Sequence, residues 1–196
     1  MDHDLPIIDA HQHFWDLGLG RHPWLCGDEQ IPFRYGDYSA LKERNYLPAD
    51  YLRDTEGFNV VKSIYMEAEW DPADPLGETA WVMDLHECTG FPHAVIGQAW
   101  FMADDIEAVL AGQATCPLMR SIRQKPVAAP SHDAFQPGIP GSLADPTFRA
   151  GYAHLATHGL HFDLQTPWWH LDEAADLARD IPDITIILNH TGLPTD

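Results

Sequence analysis

The sequence predicts an α/β protein whose strands form a parallel sheet. Short apolar runs alternate with longer amphipathic stretches along most of the chain, and this alternation is typical of repeated strand–helix units. A length of 196 residues and an apolar content of 45% are sufficient for one domain with a substantial core. We therefore expect a single domain over residues 1–196.

Six apolar runs have the length and composition of strands. They are residues 7–11, 60–67, 94–100, 118–123, 160–165 and 185–190. Each is flanked by turn-forming or amphipathic sequence, which favours strands joined by helices over hairpins.

Five amphipathic stretches between these runs are predicted helices: residues 49–56, 78–89, 104–111, 146–157 and 171–179. Asp145 before Pro146 is a good N-cap followed by proline at the first helical position. Gly90 and Gly159 follow two of the helices, where a left-handed glycine commonly ends a helix. The stretches 18–45 and 126–142 are predicted loops, and loops beyond strand ends often determine specificity.

The first predicted strand ends in the pattern Asp-x-His-x-His. Because side chains alternate along a strand, Asp9, His11 and His13 are expected on one face. Two adjacent imidazoles provide half of a binding site for a divalent cation. Asp9 lies deeper and is expected to orient a ligand through a hydrogen bond. The alternative is an ordinary strand end with two surface histidines.

The blocks that carry a family resemblance are DAHQHFWD, NVVKSIYMEAEWDP, VIGQAWF, RSIRQ, HGLHFDLQTPWWHLDEAADLA and ITIILNHTGLP. In this order they resemble the amidohydrolase superfamily, in its amidohydrolase 2 branch, which includes sugar lactonases and pyrone dicarboxylate lactonases. The resemblance implies a (β/α)8 TIM barrel. About six βα units are countable here, so we expect an incomplete, C-terminally truncated barrel. A complete six-stranded α/β domain is the alternative.

The resemblance implies that His11 and His13 are metal ligands and that His190 contacts the metal, the attacking water or the substrate. His190 is thus a catalytic candidate, and its alternative is a structural histidine at a strand end. Many relatives carry Asp where this chain has Asn189. The expected cofactor is one divalent cation, with zinc the first choice, or none.

Polar residues at the other strand ends complete the predicted site. Glu67 is a catalytic candidate as a base, ligand or hydrogen-bond partner, or else a buried carboxylate paired with a cation. Arg123 suits a substrate carboxylate or an oxyanion. Gln165 is expected at the barrel mouth as a substrate-binding residue, and it lies where broader relatives place a histidine ligand, which argues against a two-metal site. His161, four residues deeper, is expected in the core. Trp168 can stack on a sugar or lactone ring, or pack on the next helix.

The predicted activity is hydrolysis of a lactone, of the sugar or the pyrone or muconolactone type, by attack of water on the ester carbonyl. The family's proton-transfer Asp, on an eighth strand, has no counterpart in this chain. A metal-dependent decarboxylase is the second interpretation. The third is an inactive fragment that needs a partner to complete the barrel.

Composition excludes several other classes of protein. Thirty acidic side chains against 11 basic ones give a net charge of −19, which disfavours nucleic-acid binding. Three widely spaced cysteines indicate reduced thiols, as in a cytoplasm. No signal peptide or membrane-spanning run is predicted. The expected partner is a small-molecule substrate, and the sequence does not predict the oligomeric state.

Overall fold

The structure, a computed structural model, describes residues 4–28 and 36–194. The strands are β1 (Ile7–Gln12), β2 (Val60–Met66), β3 (Ala94–Gln98), β4 (Met119–Arg123), β5 (His161–Leu164) and β6 (Ile186–Leu188). All six predicted strands are therefore confirmed, with boundaries that differ by one to two residues at most ends.

The helices are α1 (Pro23–Cys26), α2 (Pro48–Asp54), α3 (Gly77–Thr89), α4 (Ile106–Ala114), α5 (Pro146–Ala153) and α6 (Leu171–Asp180). The five predicted helices are confirmed. The short helix α1 was not predicted, because it is one turn long within a polar loop. Part of the predicted loop 18–45 lies outside the described residues.

The six strands follow one another along one sheet in chain order. Strand β1 pairs with β2 in parallel, from Ile7 opposite Val60 to Gln12 opposite Tyr65, with irregular register near its carboxyl end. Strands β4 and β5 are parallel, as are β5 and β6. Parallel neighbours joined by helices are the predicted arrangement. They place the carboxyl ends of β1 and β2 at the same edge, and likewise those of β4, β5 and β6.

The chain divides into two compact units, one up to Val95 and one from Ile96. In the first unit the core is aromatic. The fully buried ring of Phe14 stacks on Tyr65 with centroids 5.9 Å apart and meets Tyr51 edge-on at 6.1 Å. Phe14 follows β1 directly, so this packing fixes the chain just beyond the His-x-His pattern.

The core of the second unit is built on Phe101, Phe148, Tyr152 and Phe162, which are each at most 2% exposed. Phe101 meets Phe148 at 5.2 Å and Phe162 at 5.5 Å, edge to face. A Cβ atom at Gly151 would overlap the carbonyl of Phe101, so α5 can approach this cluster only with glycine at that position.

The predicted helix start at Asp145 and the predicted end at Gly90 are confirmed, whereas α5 ends at Ala153 and Gly159 instead follows a 3-10 helix, His154–His158. Asp145 accepts a hydrogen bond from the Thr147 amide at 2.8 Å and caps α5. Gly90 and Gly159 adopt φ values of 78° and 62°, a left-handed conformation that glycine adopts without strain.

Two expectations for individual residues are corrected. His161, expected in the core, is exposed, because it occupies the first position of β5. The predicted sixth strand extends to His190, but β6 ends at Leu188 because His190 and Thr191 have φ values of 50° and 53°. No helix among the described residues is long and apolar enough to cross a membrane.

Candidate functional site

The two histidines of the first motif lie together at the carboxyl end of β1. Strand β1 ends at Gln12, so His11 is within the strand and His13 is just beyond it. Their ring centroids are 5.0 Å apart and the rings are nearly perpendicular. Asp9 and His11 are half-buried, whereas Ala10 between them is exposed, which is the alternation the sequence predicts.

The tautomer of His13 is set by a backbone contact. Its Nδ1 lies 2.8 Å from the carbonyl oxygen of Met66. A carbonyl can only accept, so Nδ1 carries the proton and the lone pair of the neutral ring is on Nε2. A ligating histidine commonly donates its second ring nitrogen to a carbonyl in this manner.

The pair is therefore suited to two positions of a zinc coordination sphere, which histidine nitrogens commonly fill. Within residues 4–28 and 36–194, no group of three or more His, Cys, Asp or Glu side chains is arranged to hold a metal ion. The chain thus supplies a fitting pair of donors, and the described part does not supply a complete sphere.

Asp9 is fixed as a hydrogen-bond acceptor beneath this pair. Its Oδ1 accepts from the backbone amide of His11 at 3.1 Å and its Oδ2 from the hydroxyl of Tyr51 at 3.1 Å. These bonds hold the backbone of β1 where the histidines project. Direct orientation of a ligand by Asp9 stays a prediction.

Glu67 follows the last residue of β2 and is 3% exposed. Its Oε2 accepts from the Glu69 amide at 2.8 Å, so the carboxylate has a defined position at the carboxyl end of β2. Glu69 itself has a φ of 57°, and the strand has therefore ended before it.

His22 was not identified from the sequence. It is fully buried, with its ring edge-on to Trp70 at 5.2 Å and to Trp81 at 6.1 Å. Neither ring nitrogen of His22 has a hydrogen-bond partner among the described residues. Burial lowers the pKa of His22 from 6.5 to about 4, although the carboxylates of Asp16 and Glu67 oppose the shift. No local pattern signals this burial, which depends on two tryptophans distant in sequence.

In the second unit, two predicted residues are in contact. Arg123 is the last residue of β4, and its Nη1 donates to Oε1 of Gln165 at 3.3 Å. Gln165 follows β5 directly. Arg123 is 4% exposed, so its guanidinium is largely withdrawn from water at the carboxyl end of its strand.

His190 lies two residues beyond β6. Partial burial lowers the pKa of its imidazole, and the positive charges of Arg123 and Lys125 lower it further. The neutral form of His190 is therefore favoured near neutral pH. A neutral imidazole can accept a proton from water, as a general base requires.

A buried pair of hydrogen-bonded side chains beside His190 was also not predicted from the sequence. Asn189 donates through Nδ2 to Oδ1 of Asp163 at 2.8 Å, and these side chains are 6% and 2% exposed. Burial raises the pKa of Asp163, and hydrogen bonds from Ser121 and Asn189 oppose this shift. An Asp at position 189, as in many relatives, would instead repel Asp163. The Asn189 side chain of this protein donates a hydrogen bond to it.

Trp168 follows β5 in a turn before α6 and is 38% exposed. The imidazole of His132 stacks on it with centroids 4.9 Å apart and planes inclined by 19°. Trp168 is therefore partly accessible and already carries a planar ring on one face. Its neighbour Trp169 is 7% exposed and packs inward.

Comparison with known proteins gives a consistent family. The amidohydrolase family model (Amidohydro_2) matches residues 8–196. The chain is similar to a protein of Sinorhizobium fredii called y4mH, at 38% identity over 98% of this chain and 64% of that protein. It is also similar to an L-fucono-1,5-lactonase of Burkholderia ambifaria, at 25% identity over 95% of this chain and 57% of the lactonase.

Solved structures agree on the fold. An amidohydrolase of Burkholderia multivorans, crystallised with bound zinc, superposes with a TM-score of 0.67 at 22% identity over 95% of this chain and 58% of that one. The predicted α/β barrel class is confirmed, and the described residues contain six of its strands. The chain spans 57% to 64% of the length of these relatives.

Proposed function

This chain belongs to the amidohydrolase family, and from that premise we propose that it is a hydrolase that opens a lactone by attack of water on the ester carbonyl. The likeness to an L-fucono-1,5-lactonase supports a cyclic ester as the substrate. The observation that carries the proposal is the His11–His13 pair, because the spacing of the two rings and the tautomer of His13 suit a hydrolytic metal centre.

We assign His11 and His13 as ligands of one divalent cation, with zinc as the first choice. The zinc in the Burkholderia multivorans structure supports this choice. When bound, such an ion polarises a carbonyl or lowers the pKa of water toward ~7.

His190 is proposed to accept the proton of the attacking water. Its lowered pKa keeps the imidazole neutral near neutral pH, which is the form that can accept. The Glu67 carboxylate is assigned to hold that water or a substrate hydroxyl, since its position is fixed by the Glu69 amide.

Arg123 and Gln165 are assigned to the substrate. The Arg123 guanidinium is nearly buried and is braced by the amide oxygen of Gln165. A preorganised donor aimed at a developing oxyanion is worth about 10²–10³ in kcat, and the same guanidinium can hold a carboxylate. Trp168, which is partly exposed, is assigned to stack on the substrate ring.

A decarboxylase on the same scaffold is the second candidate, because Arg123 can also hold the carboxylate of an aromatic acid. The presence of Gln165 at the end of β5 argues against the decarboxylase. An amide oxygen is a poorer metal ligand than imidazole, and this oxygen accepts a hydrogen bond from Arg123.

The experiment offers the protein, with zinc supplied, five- and six-membered lactones and aromatic carboxylic acids in ¹⁸O-labelled water. We expect ring opening with one ¹⁸O in the product carboxylate, and no carbon dioxide. Replacing His190 with Gln should lower kcat by about 10²–10⁴, the contribution of a general base.

The matched control is His161→Gln, which changes an exposed histidine at the amino end of β5 and should leave kcat unchanged. Release of carbon dioxide without lactone opening would assign the protein to the decarboxylases. An unaltered kcat in His190→Gln would remove His190 from the mechanism.

A further inference from the structure

The backbone beyond β6 makes one left-handed turn. His190, Thr191 and Leu193 have φ values of 50°, 53° and 48°, and Gly192 among them has a φ of 77°. The carbonyl oxygen of His190 accepts hydrogen bonds from the Leu193 amide at 3.0 Å and from the Thr191 hydroxyl at 2.7 Å. These two bonds close residues 190–193 into a unit, which we call the left-handed turn.

This backbone conformation is unfavourable for three of the four residues in the turn. In the left-handed region a Cβ atom crowds the following carbonyl, so every residue except glycine adopts it at a cost in free energy. Thr191 is the least suited of the three, because its side chain is branched at Cβ. A strained backbone of this kind persists only where the surrounding structure holds it, and it is found most often at functional sites.

Buried residues hold the left-handed turn at both of its ends. Asn189, which precedes the turn, is 6% exposed, and Leu193, which ends it, is 7% exposed. Gly192 is also buried, and a Cβ atom there would lie 3.2 Å from a methyl carbon of Leu171 in α6. His190, between these buried positions, is exposed. The turn therefore presents His190 outward from two anchors.

The anchor before the turn is a side-chain hydrogen bond to β5. Leu188, the last residue of β6, lies opposite Leu164 of β5. From the next position, Asn189 reaches back and donates through Nδ2 to Oδ1 of Asp163 at 2.8 Å. Asp163 is 2% exposed, and its backbone is paired with β4 on one side and with β6 on the other. The bond thus ties the start of the turn to an inner strand of the sheet.

The position of this hydrogen bond couples it to His190. Consecutive Cα atoms lie about 3.8 Å apart across a trans peptide, so the Cα of His190 is one peptide unit beyond the anchored Asn189. A shift of Asn189 is therefore passed directly to His190. Loss of the bond also removes one of the contacts that hold the unfavourable backbone of the turn.

We propose that Asp163 is a positioning residue for His190, and that it acts through the side chain of Asn189, which holds the left-handed turn. The inference rests on the proposed function, in which His190 accepts the proton of the attacking water. A base must lie within hydrogen-bond reach of the proton that it accepts, and a displacement of about 1 Å can cost about 10²-fold in rate. Asp163 does not touch the water; it determines where His190 stands.

The first variant, Asn189→Leu, removes the hydrogen bond and leaves Asp163 in place. The leucine side chain has a similar size but cannot donate, so the turn should relax toward extended backbone. By NMR, the ¹³Cα shifts of His190 and Thr191 should move from the left-handed range toward the extended range. With L-fucono-1,5-lactone, kcat should fall about 10²-fold, and KM should change little because substrate binding does not depend on the base.

The second variant, Asp163→Asn/Asn189→Asp, restores the hydrogen bond with the roles exchanged. The new amide at position 163 can donate to the new carboxylate at position 189, and the number of charges is unchanged. The ¹³Cα shifts and kcat should both return toward the wild-type values. Rescue by this exchange is not expected if the two side chains only fill space.

A third variant, Asp163→Leu/Asn189→Leu, guards against a failure of Asn189→Leu to fold. Replacing both partners of a buried hydrogen bond by apolar groups of similar shape can be nearly neutral for stability. This variant should therefore fold and should show the same changes in ¹³Cα shift and in kcat as Asn189→Leu.

The matched control is Gln113→Leu. Gln113 is fully buried and donates through Nε2 to the carbonyl oxygen of Gln98 at 2.8 Å. The substitution thus removes a buried hydrogen bond of the same length, but this bond joins α4 to β3. It should leave the ¹³Cα shifts of His190 and Thr191 and the value of kcat as they are in the wild type.

The outcomes separate this inference from the proposed function. Unchanged ¹³Cα shifts in Asn189→Leu and in the double leucine variant overturn the inference, as does an exchanged pair that restores neither shifts nor kcat. Lactone opening that depends on His190 but is unaffected by loss of the pair overturns the inference alone. Shifts that move in Asn189→Leu and return in the exchanged pair, in a protein that opens no lactone, uphold the anchoring of the turn and contradict the proposed function.

Discussion

At the scale of single residues, the histidines of this chain differ in their surroundings and in how well the sequence predicts them. His11 and His13 project from the end of a strand, and the strand period predicts both positions. His22 is sealed between two tryptophans and was not predicted. Strand periodicity is local, whereas burial against Trp70 and Trp81 depends on how distant segments pack.

The buried His22 leads to a prediction for stability. Because its pKa falls from 6.5 in the unfolded chain to about 4 in the fold, the folded state favours the neutral imidazole. Its contribution is complete above pH 6.5 and is lost as the pH falls toward 4. The loss is on the order of 3 kcal/mol, from 1.36 kcal/mol per pKa unit.

Denaturant unfolding of the His22→Phe variant measures this pH-dependent loss of stability. The phenyl ring fits among the tryptophans and does not titrate, so the free energy of unfolding should fall less between pH 6.5 and 4 than in the wild type. His161→Gln, at an exposed position, should follow the wild-type curve. If the stability of His22→Phe also follows the wild-type curve, the assignment of His22 as a buried neutral imidazole is contradicted.

At the scale of elements, the loop after β4 is the feature that sequence reasoning described least well. Its composition indicated an irregular loop, and within it the structure has a short 3-10 helix, His132–Ala134, capped by Ser131. The anchoring of this loop by His170, which accepts from the Ala129 amide, and by Glu173, which accepts from the Gly138 amide, was not foreseen. Both residues lie at the start of a helix, and no local sequence pattern predicts which distant backbone amides donate hydrogen bonds to them.

A substitution of Glu173 tests whether this anchor orders the loop. Glu173→Ala removes the acceptor of the Gly138 amide and the partner of His170. The free energy of unfolding should fall by about 1–3 kcal/mol, the penalty for buried groups left without a partner. Hydrogen exchange at the Ala129 and Gly138 amides should accelerate more than exchange in β5.

The control for this experiment is Glu107→Ala, because the Glu107 side chain is 73% exposed and surface changes stay within about 0.5 kcal/mol. Exchange at Ala129 that is as slow in Glu173→Ala as in the wild type would show that the loop is ordered by other contacts.

The strands and longer helices were predictable because their signals are periodic and local. All six strands and five helices were found, and the cap at Asp145 and the left-handed Gly90 and Gly159 were correct. The predicted sixth strand was too long, because the apolar pattern does not indicate that the backbone turns at His190.

The positions of the candidate site residues along the chain were also predictable, because in such folds functional side chains follow the carboxyl ends of strands. His13, Glu67, Gln165 and His190 each lie within two residues after a strand end, and Arg123 is the last residue of its strand. Their chemical roles stay predictions. The Asp163–Asn189 pair was missed because it depends on the register of β5 against β6.

At the scale of the whole molecule, family membership and charge limit the function. A net charge of −19 disfavours anionic ligands at long range. The exclusion of nucleic acid and the cytoplasmic location stay predictions. Because the chain spans 57% to 64% of the length of these relatives, lactone hydrolysis stays a proposal.

The most direct measurement is the rate of lactone opening beside the zinc content of the same sample. Wild-type protein and the double variant His11→Ala/His13→Ala are incubated with zinc, desalted, analysed for metal and assayed with L-fucono-1,5-lactone by base titration. The wild type should retain zinc and open the lactone faster than buffer. The variant should lose the metal and about a thousandfold in rate, since a catalytic metal contributes several kcal/mol. A wild type no faster than buffer, or a variant that keeps both zinc and rate, would contradict the proposed lactonase site.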